Sequence, residues 1–407
     1  MADDNQPTAA SVSRGPSGRL VYTANGAGDT VPDFAHVGFK DDLEEWPAAD
    51  SVPTLQLVVP EDGISDDGPR IQAAIDAVAA QPVDDATGFR GAVTLAAGAF
   101  VIGTPLRINT SGVVLRGAGA AGGGTELLAT FTSQQTVIQV AGDDDLAESG
   151  ASTVVTDAYV PVGSFTLNVS STEGMWVGGL VVVRRPGTAA WISSIGMDAI
   201  RDCTPPLPGR ACTQWSPSTY DFAFERVLVG IDGTTLTFDA PLVQSIDARY
   251  GGATVSAATE RRISHIGIED LRINSTFDPS ITACCDYSGE TYFSDDEHAW
   301  TAVAFAHTAH AWAARINCTH LVFACVHVQS SAKHGALAAP SSACCAPSTN
   351  ATRTHATGTR THATGTRTTH ATGTRTHATG TRTHATGTRT HARCPHAPCS
   401  LASPRQH

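Results

Sequence analysis

The first regular hydrophobic spacing lies in EDGISDDGPRIQAAIDAVAAQ, residues 61–81. Ile71, Ala74, Ile75 and Val78 recur at helical spacing, so the stretch predicts one amphipathic helix. Asp66 or Asp67 supplies its N-cap, Pro69 fits its first turn, and it ends near Gln81-Pro82. The period then changes. GAVTLAAGAFVIGTPLRINTSGVVLRGAG breaks into short β runs over 92–95, 99–102, 106–108 and 113–116, separated by Gly, Asn and Ser. ELLA and TVIQV continue the series to Val140. The runs are too short and close for alternating β-α units. A sandwich or barrel is possible, but a chain winding in coils of three short strands fits better.

Residues 143–255 read as ordinary antiparallel strands, with ERVLVGIDGTTLTFDAPL as a hairpin turning at Asp232-Gly233. This predicts an inserted β subdomain between residues 51–142, holding the helix and first coils, and further coils over 256–333. Residues 1–50 are polar and irregular, and 275–299 form an acidic loop. No periodic apolar run follows Val328, so the coils are expected to stop there. From 334 to 407 the chain is low-complexity, with five copies of THATGTR between Thr354 and Arg389 and one extra threonine at Thr368. With no apolar residue beyond alanine the repeat cannot form a coiled-coil seam, and its composition predicts a disordered tail.

Composition sharpens this picture. Apolar residues reach 41% but aromatics only 6%, which suits a thin stacked core better than one large centre. Net charge is −13, and the eight arginines after Asn350, with no acid among them, leave the rest at −13 − 8 = −21. Such an acidic body repels phosphate, which argues against nucleic acid as a partner. No apolar run is long enough to span a membrane. The start, MADDNQPTAASVSRGP, has no signal-peptide pattern. The 10 cysteines include the adjacent pairs Cys284–Cys285 and Cys344–Cys345 and permit disulfides without fixing their connectivity. Sequons at Asn109, Asn168, Asn274, Asn317 and Asn350 are weak evidence of secretion in a chain this rich in Thr and Ser.

Five stretches, DFAHVGF, GFRGAVTLAAGAF, RRPGTAAWISSIGMD, DAPLVQSIDARYGG and YFSDDEHAWTAVAF, together resemble a largely uncharacterised branch of the pectate-lyase-like (pectin lyase-like) superfamily. The resemblance covers roughly residues 20–333. It implies an all-β fold: a right-handed parallel β-helix with an N-terminal capping helix, here carrying the inserted antiparallel subdomain and the disordered C-terminal tail. Similar proteins continue past HVQSSAK with many more coils, so the resemblance implies C-terminal coils that are expected to be missing from this sequence. The resemblance implies the fold more strongly than the reaction, because the superfamily holds lyases, hydrolases, epimerases and non-catalytic members. It also points to an extracellular or cell-surface location and a polysaccharide partner.

The richest chemistry is in YFSDDEHAWTAVAF. If Thr301, Val303 and Phe305 face the interior, Trp300, Ala302 and Ala304 face outward, with His298 beside them. An indole stacks on a pyranose and an imidazole moves protons near neutral pH. Asp295, Asp296, Glu297 and His298 are the candidate catalytic residues, and Tyr292, Trp300, Arg249, Arg272 and Arg315 the candidate substrate contacts. Paired carboxylates would hydrolyse a glycosidic bond. Alternatively Asp295, Asp296 and Glu297 would bind Ca²⁺ for β-elimination from a uronic acid. Lysine occurs only at Lys40 and Lys333, so arginine is the available cation. The plainer alternative is a solvated acidic loop.

Three other patterns are weaker. Cys318, His320, Cys325 and His327 imitate a zinc quartet, but strand parity puts Cys318 inward and Cys325 and His327 outward, so they are expected not to converge. GAGAAGGG, residues 117–124, lacks the G-K-[ST] ending of a phosphate loop and reads as a turn. Arg184 and Arg185 in RRPG read as a charged strand end before they read as an anion contact. Three functions remain: an enzyme acting on an acidic polysaccharide by elimination or hydrolysis, a non-catalytic polysaccharide-binding or surface protein, and a truncated inactive copy.

Overall fold

The computed structural model describes residues 11–33, 39, 47–48, 51–143, 145–201, 212–284, 289–329, 332–333 and 336–338. The repeat and the rest of the tail lie outside these residues, as do Cys285, Cys344 and Cys345. The chain winds through three parallel sheets in turn. Its first complete coil runs Gly91–Leu95, Gly98–Ile102, Leu106–Ile108, and the second Val113–Arg116, Thr125–Ala129, Thr136–Ala141. The third is Ile263–Glu269, Leu271–Ser275, Thr301–Ala306, and the fourth Thr308–Ala314, Asn317–Thr319, Ala324–Val328. The second and third sheets hold four strands each. The first sheet holds six, because Thr54–Val58 precedes the first coil and Ala336–Ala338 follows the fourth. The expectation that strand pattern stops at Val328 is therefore corrected by one strand, which pairs with Trp312–Ala314. Its tripeptide ALA is too short to register as a periodic run.

Parallel stacking in register puts like residues above like. Val93, Leu115, Ile268 and Ala313 form one interior row. Phe100, Leu127, Ile273 and Cys318 form the second, and Leu106, Ile138, Val303 and Val326 the third. All of them contribute to one continuous core. The helix Gly68–Ala79 adds Ile71, Ala74, Ile75 and Val78 to that core. At its start Asp66, not the N-cap residue Asp67, accepts the Gly68 N–H, at 2.9 Å. Asp67 is buried and instead accepts the Val101 N–H and pairs with Arg70.

The first sheet is covered on its outer face too. Ala92, Val114, Gly267 and Trp312 form an outward row that packs beneath Phe39, Val52 and Phe89. The Trp312 indole lies flat on Gly267, where a Cβ would sit 2.2 Å from the ring. Beside it Glu269 is fully buried and accepts from Arg116 Nε at 2.7 Å, Arg315 at 3.1 Å and the Trp312 indole N–H at 3.2 Å.

Between the second and third coils, a six-stranded antiparallel arrangement runs from Ala147 to Thr259 with its own apolar cluster. Its two ends meet: a Cβ on Gly142 would lie 3.3 Å from the Ile263 nitrogen. The hairpin pairs Asp232 with Thr235, so its turn is Gly233-Thr234, one residue beyond the expected Asp232-Gly233. Gly233 takes a φ of 58°, the left-handed value that a first turn position of this type requires.

Candidate functional site

The outer face of the second sheet is the face that stays polar and open. Its strands alternate as TELLA, LRINS and NCT, so Glu126, Arg272 and Asn317 stack in one outward row. Leu128, Asn274 and Thr319 stack in the next. Hydrogen bonds run across the coils. Asn274 Nδ2 donates to Glu126 at 3.3 Å, and Thr319 Oγ1 donates to Asn274 Oδ1 at 2.8 Å. His320 Nδ1 lies 3.0 Å from the same Asn274 oxygen. Arg272 sits 3.9 Å from Glu126, with both side chains about one-third exposed.

Residues 276–284 and 289–300 border this face. The ends of this loop are pinned to the coil below: Thr276 N–H donates to Ala129 O at 3.0 Å, and Trp300 N–H to Gln135 O at 2.8 Å. Asp295 closes the loop by accepting the N–H groups of Asp278, at 2.7 Å, and Glu297, at 3.0 Å. These two donors hold the Asp295 carboxyl below its usual range. Asp278, which accepts the Ser280 hydroxyl and N–H, is likewise lowered. Phe277 stands between Phe293 and His320, with ring centroids 5.4 and 4.8 Å away. Tyr292 and Phe293 pair with Thr282–Ala283 and are half exposed. Aromatic rings therefore line one side of a polar, hydrogen-bonding strip.

The expected site residues distribute unevenly. Arg272 lies on the strip, and Tyr292, Asp295, Asp296 and Glu297 lie in the loop beside it. His298 is not outward: it is 6% exposed, packs on Phe277, and its Nδ1 lies 3.2 Å from Ser275 Oγ. It precedes the strand Thr301–Ala306, so strand parity does not extend to it. Ala304 stacks with Gln139 and His327, on the face opposite the interior residues Val303 and Phe305, and both Ala302 and Ala304 are buried. Trp300 stacks on Phe323 at the third sheet, 5.5 Å between centroids. Arg315 is held by Asp270 at 2.6 Å and by Glu269. Arg249 belongs to the inserted sheet region and pairs with Asp247 at 2.6 Å. Each of the three arginines thus has its own carboxylate partner.

Asp295, Asp296 and Glu297, the expected Ca²⁺ ligands, follow one another in the described end of the loop. Among the described residues no three His, Cys, Asp or Glu side chains gather closely enough to hold a metal. The Asp295 carboxylate is already occupied by backbone N–H groups. Cys318 and Cys325 do meet, as a disulfide with Cα atoms 5.5 Å apart. Parity argued for opposite faces, but the chain turns a corner between sheets at 320–323, where parity restarts. Cys212 and Cys284 are also disulfide-bonded. Arg184 pairs with Glu148, and the buried Arg185 lies over Trp191, 4.5 Å from its ring centroid, so neither is poised for an anion. Gly117–Gly124 is a turn between first and second sheets; a Cβ on Gly117 would meet Asp270 O at 2.3 Å. The sequence did not assign Glu126, Asn274, Asn317, Thr319, His320 or Phe277 to this site; Asn274 and Asn317 stood out only as sequons and His320 only in the Cys/His quartet. Their signal was the polar residue at alternate positions of three separated strands, visible as a row only once register is known.

No protein-family model matches the sequence, and no curated protein matches it. Among solved structures the chain is similar to tailspike gp61 of Pseudomonas phage phi297, at 12% identity and TM-score 0.33 over 62% of this chain and 31% of that one. It is also similar to the gp54 tailspike of Acinetobacter baumannii bacteriophage AP22, solved with a capsular saccharide, at 9% and 0.30 over 63% and 34%. Tailspike gp49 of Pseudomonas phage LKA1 gives 14% and 0.29 over 60% and 33%. The chain spans about a third of the length of each. Scores this low carry no argument about function, and the fold described above rests on the chain's own strand pairing. Among the described residues no helix is long and apolar enough to cross a membrane.

Proposed function

We propose that this is a polysaccharide-binding parallel β-helix protein that holds a glycan along the outer face of its second sheet, under the loop 276–300. The observation that carries this reading is the pair of outward rows, Glu126, Arg272 and Asn317 in one and Asn274 and Thr319 in the next, with His320 and Phe277 beside them. Coils repeat at about 4.8 Å, so the strip offers donors and acceptors at regular steps along one direction. Sugar hydroxyls need both, and aromatic rings cover the C–H faces of pyranoses. Neither Asp278 nor Asp295 suits the general acid of a glycosidase. A glycosidase needs a carboxyl whose proton is retained near neutral pH. Asp278 and Asp295 are moved the other way, and His298 is buried. Disulfides at Cys318–Cys325, Cys212 and Cys284 fit an oxidising, extracellular or surface setting. The finer reading, an acidic polysaccharide met by Arg272, is part of the same proposal.

The test is a glycan array with the full chain, followed by affinity measurements on Arg272→Ala and Asn274→Ala. Roughly tenfold weaker binding in each is expected, from the loss of a charged or bridging hydrogen bond. Unchanged binding in both would overturn the assignment to this face. Release of new reducing ends or of unsaturated sugar by the wild type would show that the protein is an enzyme.

A further inference from the structure

A cleft of about 820 Å³ opens on the inserted sheet, along its edge strand Ala147–Val154. The volume falls in the range of about 300–1,000 Å³ usual for small-molecule sites. One wall is the edge strand itself. Its pairing with Thr254–Thr259 shifts register between Glu148 and Ser152, and such a bulge bends the strand away from its neighbour. The other wall is the turn that carries Trp176.

Trp176 is 57% exposed, an unusual placement for the largest apolar side chain. Its position is fixed by backbone: Gly179 N–H donates to Trp176 O at 2.9 Å, and Gly178 N–H to Leu228 O at 2.7 Å. The indole also packs against Gly179, where a Cβ would lie 3.0 Å from Cε2. The turn is therefore held through its backbone, and the exposed indole lines the cleft. The polar lining is also held in place. Glu148 accepts two bonds from Arg184 and one from Ser256 at 2.7 Å. The Arg184 guanidinium keeps its carboxyl below the usual range, so it remains an acceptor. Thr153 and Ser170 join the two walls through hydroxyls 2.9 Å apart.

The lining identifies a ligand class. The lining carries Glu148, Glu173 and Arg261, and Arg184 pairs with Glu148 from behind, so the formal charges of these four residues sum to zero. Hydroxyls of Ser152 and Thr259 can both donate and accept. An exposed indole with ambivalent hydroxyls and a fixed carboxylate, Glu148, matches a pyranose with its hydroxyls equatorial and its C–H face covered. We propose that this cleft binds a neutral oligosaccharide, with Trp176 stacked on one sugar ring. This site is separate from the second-sheet strip and does not depend on it.

The test uses the full chain, titrated calorimetrically with cello-, xylo-, manno- and malto-hexaose at up to millimolar concentration. Binding of at least one is expected, weakened roughly tenfold or more in Trp176→Ala and kept within about threefold in Trp176→Phe. Arg272→Ala should leave it unchanged. A shift of tryptophan emission on adding the sugar, lost in Trp176→Phe, reads the same contact in the wild-type chain should the alanine variant misfold. Failure of all four sugars to bind, or full affinity in Trp176→Ala, would overturn the proposal. Loss of affinity in Arg272→Ala with no effect at Trp176 would also overturn it, and would assign the sugar to the second-sheet strip instead.

Discussion

Glu269 shows how much one side chain can hold. It is fully buried and satisfies Arg116, Arg315 and Trp312 at once. Replacing it with alanine leaves Arg116 buried without a counter-charge, and a loss of about 3–5 kcal/mol in chemical denaturation is expected. An Arg116→Met/Glu269→Leu pair should recover much of that loss, since no charge is then left unpaired. Asp295 works through backbone. Its folded pKa is depressed from the ordinary 3.8, so its contribution is complete above that value and is lost as pH falls through the lower folded value. Amide exchange at Asp278 and Glu297 should therefore be flat from pH 8 to about pH 5, after correction for the intrinsic rate, and accelerate below about pH 4. Asp295→Asn should remove that step. Neither residue's role was legible in the sequence, because their partners are fixed by coil stacking and by the loop's closure.

At the scale of elements, the rule is that coils lend each other their faces. Gly267 has no local reason to be glycine. Its φ is not in the left-handed region, and it lies within a regular strand. Trp312, one coil later in the first sheet, supplies the reason by lying on it. Gly267→Ala should cost about 1–3 kcal/mol by overpacking, read as a lower melting temperature. The Cys318–Cys325 bridge closes the corner between the last two strands of the fourth coil. Reduction should raise amide exchange over 317–328 while leaving 91–115 protected, because stacked repeats loosen from one end. Uniform loosening of both segments would contradict that locality. The strand alternation of TELLA and LRINS was readable in advance, and so was the amphipathic stripe Ile71, Ala74, Ile75, Val78. The coverage of both faces of the first sheet was not, since Phe39, Val52 and Phe89 come from outside the strands they cover.

For the whole molecule, the insertion is the test of coil autonomy. Its ends meet at Gly142 and Ile263, and the strands on either side pair in register as if nothing intervened. Replacing residues 145–261 with a short Gly-Ser linker should give a soluble chain with β circular dichroism and a cooperative melt. It should also lose any sugar binding that depends on Trp176 and retain binding that depends on Arg272. Aggregation or loss of cooperativity would mean that the second and third coils need the insertion, through contacts such as Arg262 with Glu225 at 2.8 Å.

The sequence by itself determined what is local: the helix, the short strands, their turns, and which residues alternate toward the interior. Those follow from side-chain periodicity over a few residues and from Gly, Pro and Asn at the corners. It also showed that an acidic, aromatic-poor chain builds a thin stacked core. Only the tertiary structure decided which distant residues become neighbours. Glu126 and Asn274 are 148 positions apart yet bonded, because parallel register places successive coils directly above one another. Tertiary packing also buried His298, joined Cys318 to Cys325 across a corner, and gave Arg249, Arg272 and Arg315 separate carboxylate partners. Strand parity is a property of one continuous strand, and a β-helix resets it at every corner.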